Sequence, residues 1–252
     1  MSKTKQDIGG NAIIYSYPNG DWDLICAAER TFLPAGWEEA FVSDRGAAPR
    51  PSAREAGKKS EGDDRLRSMR RARAKLRRLA LSNEFEWFVT LTLDKDRVDR
   101  YDPKAIMQKT NRCLDNLVRR YGLRYVLVPE LHKDGAYHFH GFFAGDLRVI
   151  DSGVKHDGRE VYNLPQWTLG FSTAMRLHGS YSAAVGYVCK YIGKQEGARP
   201  MGRWYYSGGA LKEPPKEYAT MDYRGVCEEF CGEAVEFEIP GSKIVVIHHR
   251  EE

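Results

Sequence analysis

Apolar residues along this chain fall into short alternating or continuous runs and a few stripes at helical spacing, and together these predict most of the elements. Asn11-Ala-Ile-Ile-Tyr-Ser-Tyr17, a Pro18-Asn-Gly-Asp21 turn and Trp22-Asp-Leu-Ile-Cys26 read as a hairpin. From Ser43 to Asp64 large apolar residues almost vanish among Gly, Ala, Pro, Ser and charge, the composition of a flexible linker. Leu66, Met69, Leu76 and Leu79 recur at helical spacing and predict a helix from Arg65 to about Ala80. Trp87-Phe-Val-Thr-Leu-Thr-Leu93 predicts a buried central strand. Asp102 as N-cap and Pro103 at the first helical position open a helix running to Arg120 through Ile106, Cys113, Leu114 and Leu117. Tyr125 to Glu130 reads as a strand, and Lys133-Asp-Gly-Ala136 as a turn into another strand, so the two pair as a hairpin. Ser180 to about Lys194 reads as a helix through Tyr181, Ala184, Val185, Val188 and Ile192. Ala234–Ile239 and Lys243–His248 complete the set as strands.

The strand after the Gly-containing turn carries the first candidate chemistry: Tyr137-His-Phe-His-Gly-Phe-Phe143. Strand side chains alternate, so His138 and His140 share one face while Phe139 points into a core. Two imidazoles on one rigid face are half of a divalent-metal site. With seven histidines in 252 residues the pattern is weak alone, and a surface strand with unliganded histidines is the bland alternative. Glu130, brought close by the hairpin, would complete a two-imidazole, one-carboxylate set, and His132 is a rival third ligand. Such a set with open positions suits Mn2+ or Mg2+ better than zinc.

A second constellation lies on the later helix, Tyr187-Val-Cys-Lys190-Tyr191-Ile-Gly-Lys194. Helical spacing puts both tyrosines one turn apart with both lysines on the same face. A phenol ionises near pH 10 and needs help to act as a nucleophile, which nearby ammonium groups supply.

Composition sharpens this picture. The net charge of +4 is modest but uneven: Arg65, Arg67, Arg70, Arg71, Arg73, Lys75, Arg77 and Arg78 occur with no acid among them. A cluster of that density neutralises phosphates, with Arg70, Arg71, Arg73 and Arg77 as candidate DNA contacts; a solvated amphipathic helix is the alternative, and the two are compatible. Trp167, Trp204, Tyr205 and Tyr206 could stack on bases or belong to the core. Five cysteines without framework spacing fit a reducing compartment, and no signal peptide or bilayer-length apolar run is apparent, so a cytoplasmic protein with no membrane partner is expected. No phosphate-binding loop of the Gly-x-x-x-x-Gly-Lys-Ser/Thr type occurs, which argues against an ATP-driven motor.

Taken in order, Phe88-Val-Thr-Leu-Thr92, His138-Phe139-His140 and Tyr187-x-x-Lys190-Tyr191-x-x-Lys194 resemble the three motifs of the HUH endonuclease superfamily, specifically the rolling-circle replication initiator (Rep) proteins of plasmids and phages. The resemblance covers roughly residues 65–211. It implies an α+β, ferredoxin-like fold, a central antiparallel sheet flanked by helices. Residues 65–211 would be the endonuclease domain, 1–42 an N-terminal hairpin extension, 43–64 a linker and 212–252 a strand-rich C-terminal extension. It further implies metal-dependent, site-specific nicking and rejoining of single-stranded DNA through a 5′-phosphotyrosine. Tyr191 is then the indispensable nucleophile, Tyr187 its partner, and Lys190 and Lys194 electrostatic helpers. His138, His140 and Glu130 hold the ion, and Thr90 and Thr92 support that strand. Expected partners are single-stranded DNA or a hairpin at a replication origin, with host helicase and polymerase.

Other readings account for less of the sequence. A single-tyrosine HUH transposase is usually shorter. A non-enzymatic DNA-binding regulator leaves the histidines and tyrosines idle. A cupin-like metal oxygenase wants an all-β chain, and a relaxase places its tyrosine before the histidines.

Overall fold

The computed structural model describes residues 9–33, 61–132, 134–179, 181–194, 200–239 and 241–251. Most of the expected linker lies outside them, as do Lys133, Ser180 and Pro240; residues 61–64 already belong to a helix. The protein is α+β, with two antiparallel sheets and four α-helices among the described residues. In chain order these are β1 (Ala12–Ser16), β2 (Trp22–Ala27), α1 (Glu61–Leu81), β3 (Trp87–Thr92), α2 (Pro103–Tyr121), β4 (Arg124–Leu131), β5 (Tyr137–Ala144), β6 (Ile150–His156), β7 (Arg159–Asn163), β8 (Ser172–Arg176), α3 (Tyr181–Tyr191), β9 (Tyr206–Gly208), β10 (Lys216–Ala219), α4 (Tyr223–Glu229), β11 (Val235–Ile239) and β12 (Ser242–His249). No described helix is long and apolar enough to cross a membrane.

Two compact units divide the chain: residues 61–213, and the flanking N- and C-terminal segments. In the flanking unit the N-terminal hairpin and the C-terminal strands share one sheet, ordered β10-β1-β2-β12-β11. Leu24, Cys26, Val245 and Ile247 form its core with Val226 of α4.

Residues 61–213 hold a seven-stranded sheet ordered β6-β7-β8-β3-β5-β4-β9. β3 is central, as its alternation dictates: Trp87, Val89 and Leu91 are buried while Phe88, Thr90 and Thr92 are half-buried on the other face. The buried set packs with Leu127, Phe139 and Phe143 against Ile106, Leu114 and Leu117 of α2. Fully burying aliphatic and aromatic side chains such as these stabilises by about 2–3 kcal/mol each. Asp102 caps α2 by accepting from the Lys104 N–H at 2.8 Å. Left-handed Gly122 ends it, its N–H donating to the Val118 carbonyl while the Leu123 N–H donates to the Leu117 carbonyl.

The opposite face receives α3, which packs on β4 and β5 and in turn against α1. Phe142 meets Phe85 and Tyr181 there. Buried Asn83 closes α1 by donating to the carbonyls of Leu79 and Lys212 and accepting from the Lys212 N–H. Three helix expectations are corrected. α1 begins at Glu61 rather than Arg65. Leu66, a member of the apolar stripe expected to dock the helix, is instead 42 % exposed. α3 ends at Tyr191, not near Lys194, because Gly193 takes a left-handed φ of +84°.

Candidate active site

Antiparallel register stacks the candidate residues in cross-strand rows on the α3 face. Glu130 pairs with His138 and His138 with Thr92; Val128 pairs with His140 and His140 with Thr90. Residues directly opposite one another share a face, so the motifs on β3, β4 and β5 converge. Phe139, between the histidines, is buried in the α2-side core, the alternation expected of the strand.

Each histidine is held through Nδ1 by a threonine hydroxyl. Thr90 Oγ1 lies 3.1 Å from His140 Nδ1 and Thr92 Oγ1 3.2 Å from His138 Nδ1. His140 Nε2 lies 2.7 Å from Glu130 Oε2. The carboxylate therefore reaches diagonally past its direct partner His138 to the next row. Its other oxygen accepts from Lys194 Nζ at 2.6 Å. Burial works to raise the Glu130 pKa, but the Lys194 hydrogen bond and the charges of His140 and Lys194 outweigh it, and the carboxyl titrates below its ordinary range. Burial lowers both imidazoles, for His140 despite Glu130 and for His138 with help from His132, so both favour the neutral, ligating form.

The tyrosine helix lies directly over this row. The Tyr191 ring stacks on His140, centroids 4.2 Å apart and planes 11° from parallel. Its hydroxyl donates to the Tyr187 hydroxyl at 2.8 Å. Lys194 Nζ sits 5.1 Å from the Tyr191 ring centroid. Burial, then the Tyr187 hydroxyl, push the Tyr191 phenol well above its ordinary pKa. Tyr187 is 51 % exposed and meets Phe88 edge-to-face at 5.9 Å. Lys190 is exposed at the last turn of α3.

Among the described residues no three His, Cys, Asp or Glu side chains are gathered as a formed ion site. His140 and Glu130 converge. His138 instead faces His132, ring centroids 4.9 Å apart, while His132 pairs with Asp134 at 3.3 Å. The donor chemistry nevertheless fits a hard divalent ion. Both Nδ1 atoms have a hydroxyl that donates or accepts, so either ring can present Nε2 as a lone pair, next to an ionised carboxylate.

The arginines of α1 divide. Arg70 and Arg71 are exposed and Arg77 half-buried. Arg73 turns inward: its Nε and Nη2 donate to the Ile192 carbonyl at 2.8 and 2.5 Å. Those bonds hold the end of α3 and the turn from which Lys194 reaches Glu130. Nothing in a run of basic residues distinguishes one turned inward. Gly193 in that turn lies where a Cβ would meet Met69 Sδ at 2.1 Å. Of the aromatics, Trp167 and Trp204 are core residues, donating from Nε1 to the Thr92 carbonyl and to Ser68 Oγ. Tyr206 donates to the Met201 carbonyl at 2.8 Å, and Tyr205 is half-buried.

A family model described as a replication-associated protein, of the ORF2 kind, matches residues 86–196. That span runs from the start of β3 past Lys194 and contains every histidine, glutamate, tyrosine and lysine of the site just described. The similarity is consistent with a replication initiator. No curated protein and no solved structure matches the chain.

Proposed function

We propose that this protein is a rolling-circle replication initiator of the HUH type, nicking and rejoining single-stranded DNA through a covalent 5′-phosphotyrosine. The observation that carries the proposal is the Tyr191 ring lying 4.2 Å from that of His140, with the Tyr187 hydroxyl bonded to its own. The match to replication-associated proteins over residues 86–196 supports it independently.

In this reading His138, His140 and Glu130 would hold Mn2+ or Mg2+. When bound, such an ion supplies positive charge that polarises the scissile phosphate and stabilises its transition state. The chain's own groups do the rest. The Tyr191 oxygen attacks phosphorus, its proton leaving through the Tyr187 hydroxyl to solvent. The bond from phosphorus to the 3′-oxygen breaks, and that oxygen takes up a proton to become a free 3′-hydroxyl primer. The phosphotyrosine retains the energy of the phosphodiester, so rejoining needs no ATP. Lys194 and Lys190 offset the negative charge of phenolate and phosphate. Tyr187 is the second nucleophile for the reverse transfer. The origin strand, single or extruded as a hairpin, would be delivered with host helicase and polymerase, and exposed arginines of α1 would contact its phosphates.

Incubation with a single-stranded DNA pool and Mn2+, then a denaturing gel, tests this directly. The wild type is expected to yield a protein band carrying oligonucleotide and the Tyr187→Phe/Tyr191→Phe protein none. An adduct persisting in the double variant removes the assignment.

A further inference from the structure

Phe171 is 73 % exposed, the most open of the large apolar side chains among the described residues. It stands one residue before β8, where β8 pairs with β3 as Leu91 to Ser172 and Thr90 to Thr173. Carried one step further, that register sets Phe171 opposite Thr92, and the Thr92 N–H donates to the Phe171 carbonyl at 2.8 Å. Phe171 is therefore the fourth member of the row Glu130, His138, Thr92, on the same face of the sheet. At one strand spacing per step its Cα lies about 10 Å from that of His138.

The backbone beneath the ring is fixed. Ser172 is buried, its hydroxyl accepting from the Leu164 N–H at 2.9 Å. The Leu169 carbonyl accepts from the Asp94 N–H, and Trp167 Nε1 donates to the Thr92 carbonyl. Gly170 is pressed so close to β3 that a Cβ would meet the Thr92 carbonyl oxygen at 2.2 Å. A rigidly mounted ring that buries little of itself contributes little to folding. It does provide a preorganised aromatic surface in the row of the candidate ion ligands.

We infer that Phe171 is a nucleobase-stacking residue, seating a base of the single strand close to the phosphate being cut. This rests on the nicking function proposed above. A base has a π-face whatever its identity, so the contact holds the strand in place without reading sequence. The occupant is a single strand because a paired base has its faces covered by its neighbours.

The test compares a fluorescent oligo(dT) with an all-abasic oligomer of equal length, using wild type, Phe171→Ala and Phe171→Trp in chelator. Phe171→Ala is expected to weaken oligo(dT) binding about tenfold. Abasic binding, melting temperature and the slope of log affinity against log salt should remain at wild-type values. Phe171→Trp should keep the preference for oligo(dT). Equal losses on both oligomers, or no loss on either, overturn the inference. If wild type still forms the phosphotyrosine adduct under that outcome, the nicking function survives without Phe171. If wild type neither forms adduct nor prefers oligo(dT), both fall together.

Discussion

The threonine hydroxyls behind the histidines set how well this site can hold an ion. In the ion-free protein, His140 Nε2 lies 2.7 Å from a carboxylate oxygen, so its proton sits on Nε2 and Nδ1 accepts from the Thr90 hydroxyl at 3.1 Å. Ligation through Nε2 moves the proton to Nδ1, and Thr90 Oγ1 must then accept. Thr90→Val keeps the shape and strand preference but can do neither. In the ion-free state the loss is one neutral hydrogen bond, about 0.5–1.5 kcal/mol. In the ligated state a largely buried N–H is left unsatisfied, a cost of about 1–3 kcal/mol. The difference, about 0.5–1.5 kcal/mol, predicts Mn2+ affinity about two- to tenfold weaker, reaching at most the lower end of what outer-shell partners contribute. Thr92→Val should cost less, because His138 is the less buried of the two rings.

Isothermal titration of each variant with Mn2+, free of DNA, measures this without reference to activity. Thr90→Ser should bind as wild type, and raised Mn2+ should restore adduct formation to Thr90→Val. An unchanged Mn2+ affinity in Thr90→Val, or a serine variant as weak as the valine one, would refute the tautomer argument.

Chelation should abolish adduct formation by the wild type, and added Mn2+ should restore it; cleavage in chelator would exclude an ion from the chemistry. Arg70→Ala with Arg71→Ala should lower the slope of log affinity against log salt by about 1.4, two phosphate contacts' worth on a single strand, as read by anisotropy across a salt series. Arg73→Ala should leave that slope alone and lower unfolding free energy by about 1–2 kcal/mol, because the Ile192 carbonyl loses a charged donor; a changed slope with unchanged stability would assign Arg73 to the DNA interface instead. Gly141→Ala should destabilise by about 3 kcal/mol in denaturant melts, since its Cβ would fall 1.9 Å from the Val126 carbonyl oxygen in the middle of the histidine hairpin.

Much of the central sheet was legible because its signals are local. Alternation in Trp87–Thr92 dictates a half-buried strand, Asp102-Pro103 a helix start, and a short Gly-containing turn the pairing of β4 with β5. The strands β6, β7 and β8 escaped because Ile150–His156 is mostly exposed, and its register shifts between Asp151 and Val154. The joining of β2 with β12 is likewise invisible locally, since Trp22 meets His249 across most of the chain. In the site, sequence spacing placed Glu130 beside His138. The diagonal reach to His140 depends on side-chain conformation, which spacing does not encode.

One register ties these pieces together. Glu130, His138, Thr92 and Phe171 come from four separate stretches of chain, yet antiparallel pairing leaves each only two choices of face. A slip of one residue between β4 and β5 would turn Phe139 outward and bury both imidazoles against α2. Phe139 and Phe143 on the α2 side prevent that slip, because exposing them would forfeit about 2–3 kcal/mol apiece. The apolar residues between the histidines thus decide where the chemistry points. The Tyr191 ring, resting on His140, reads out that decision from the opposite layer.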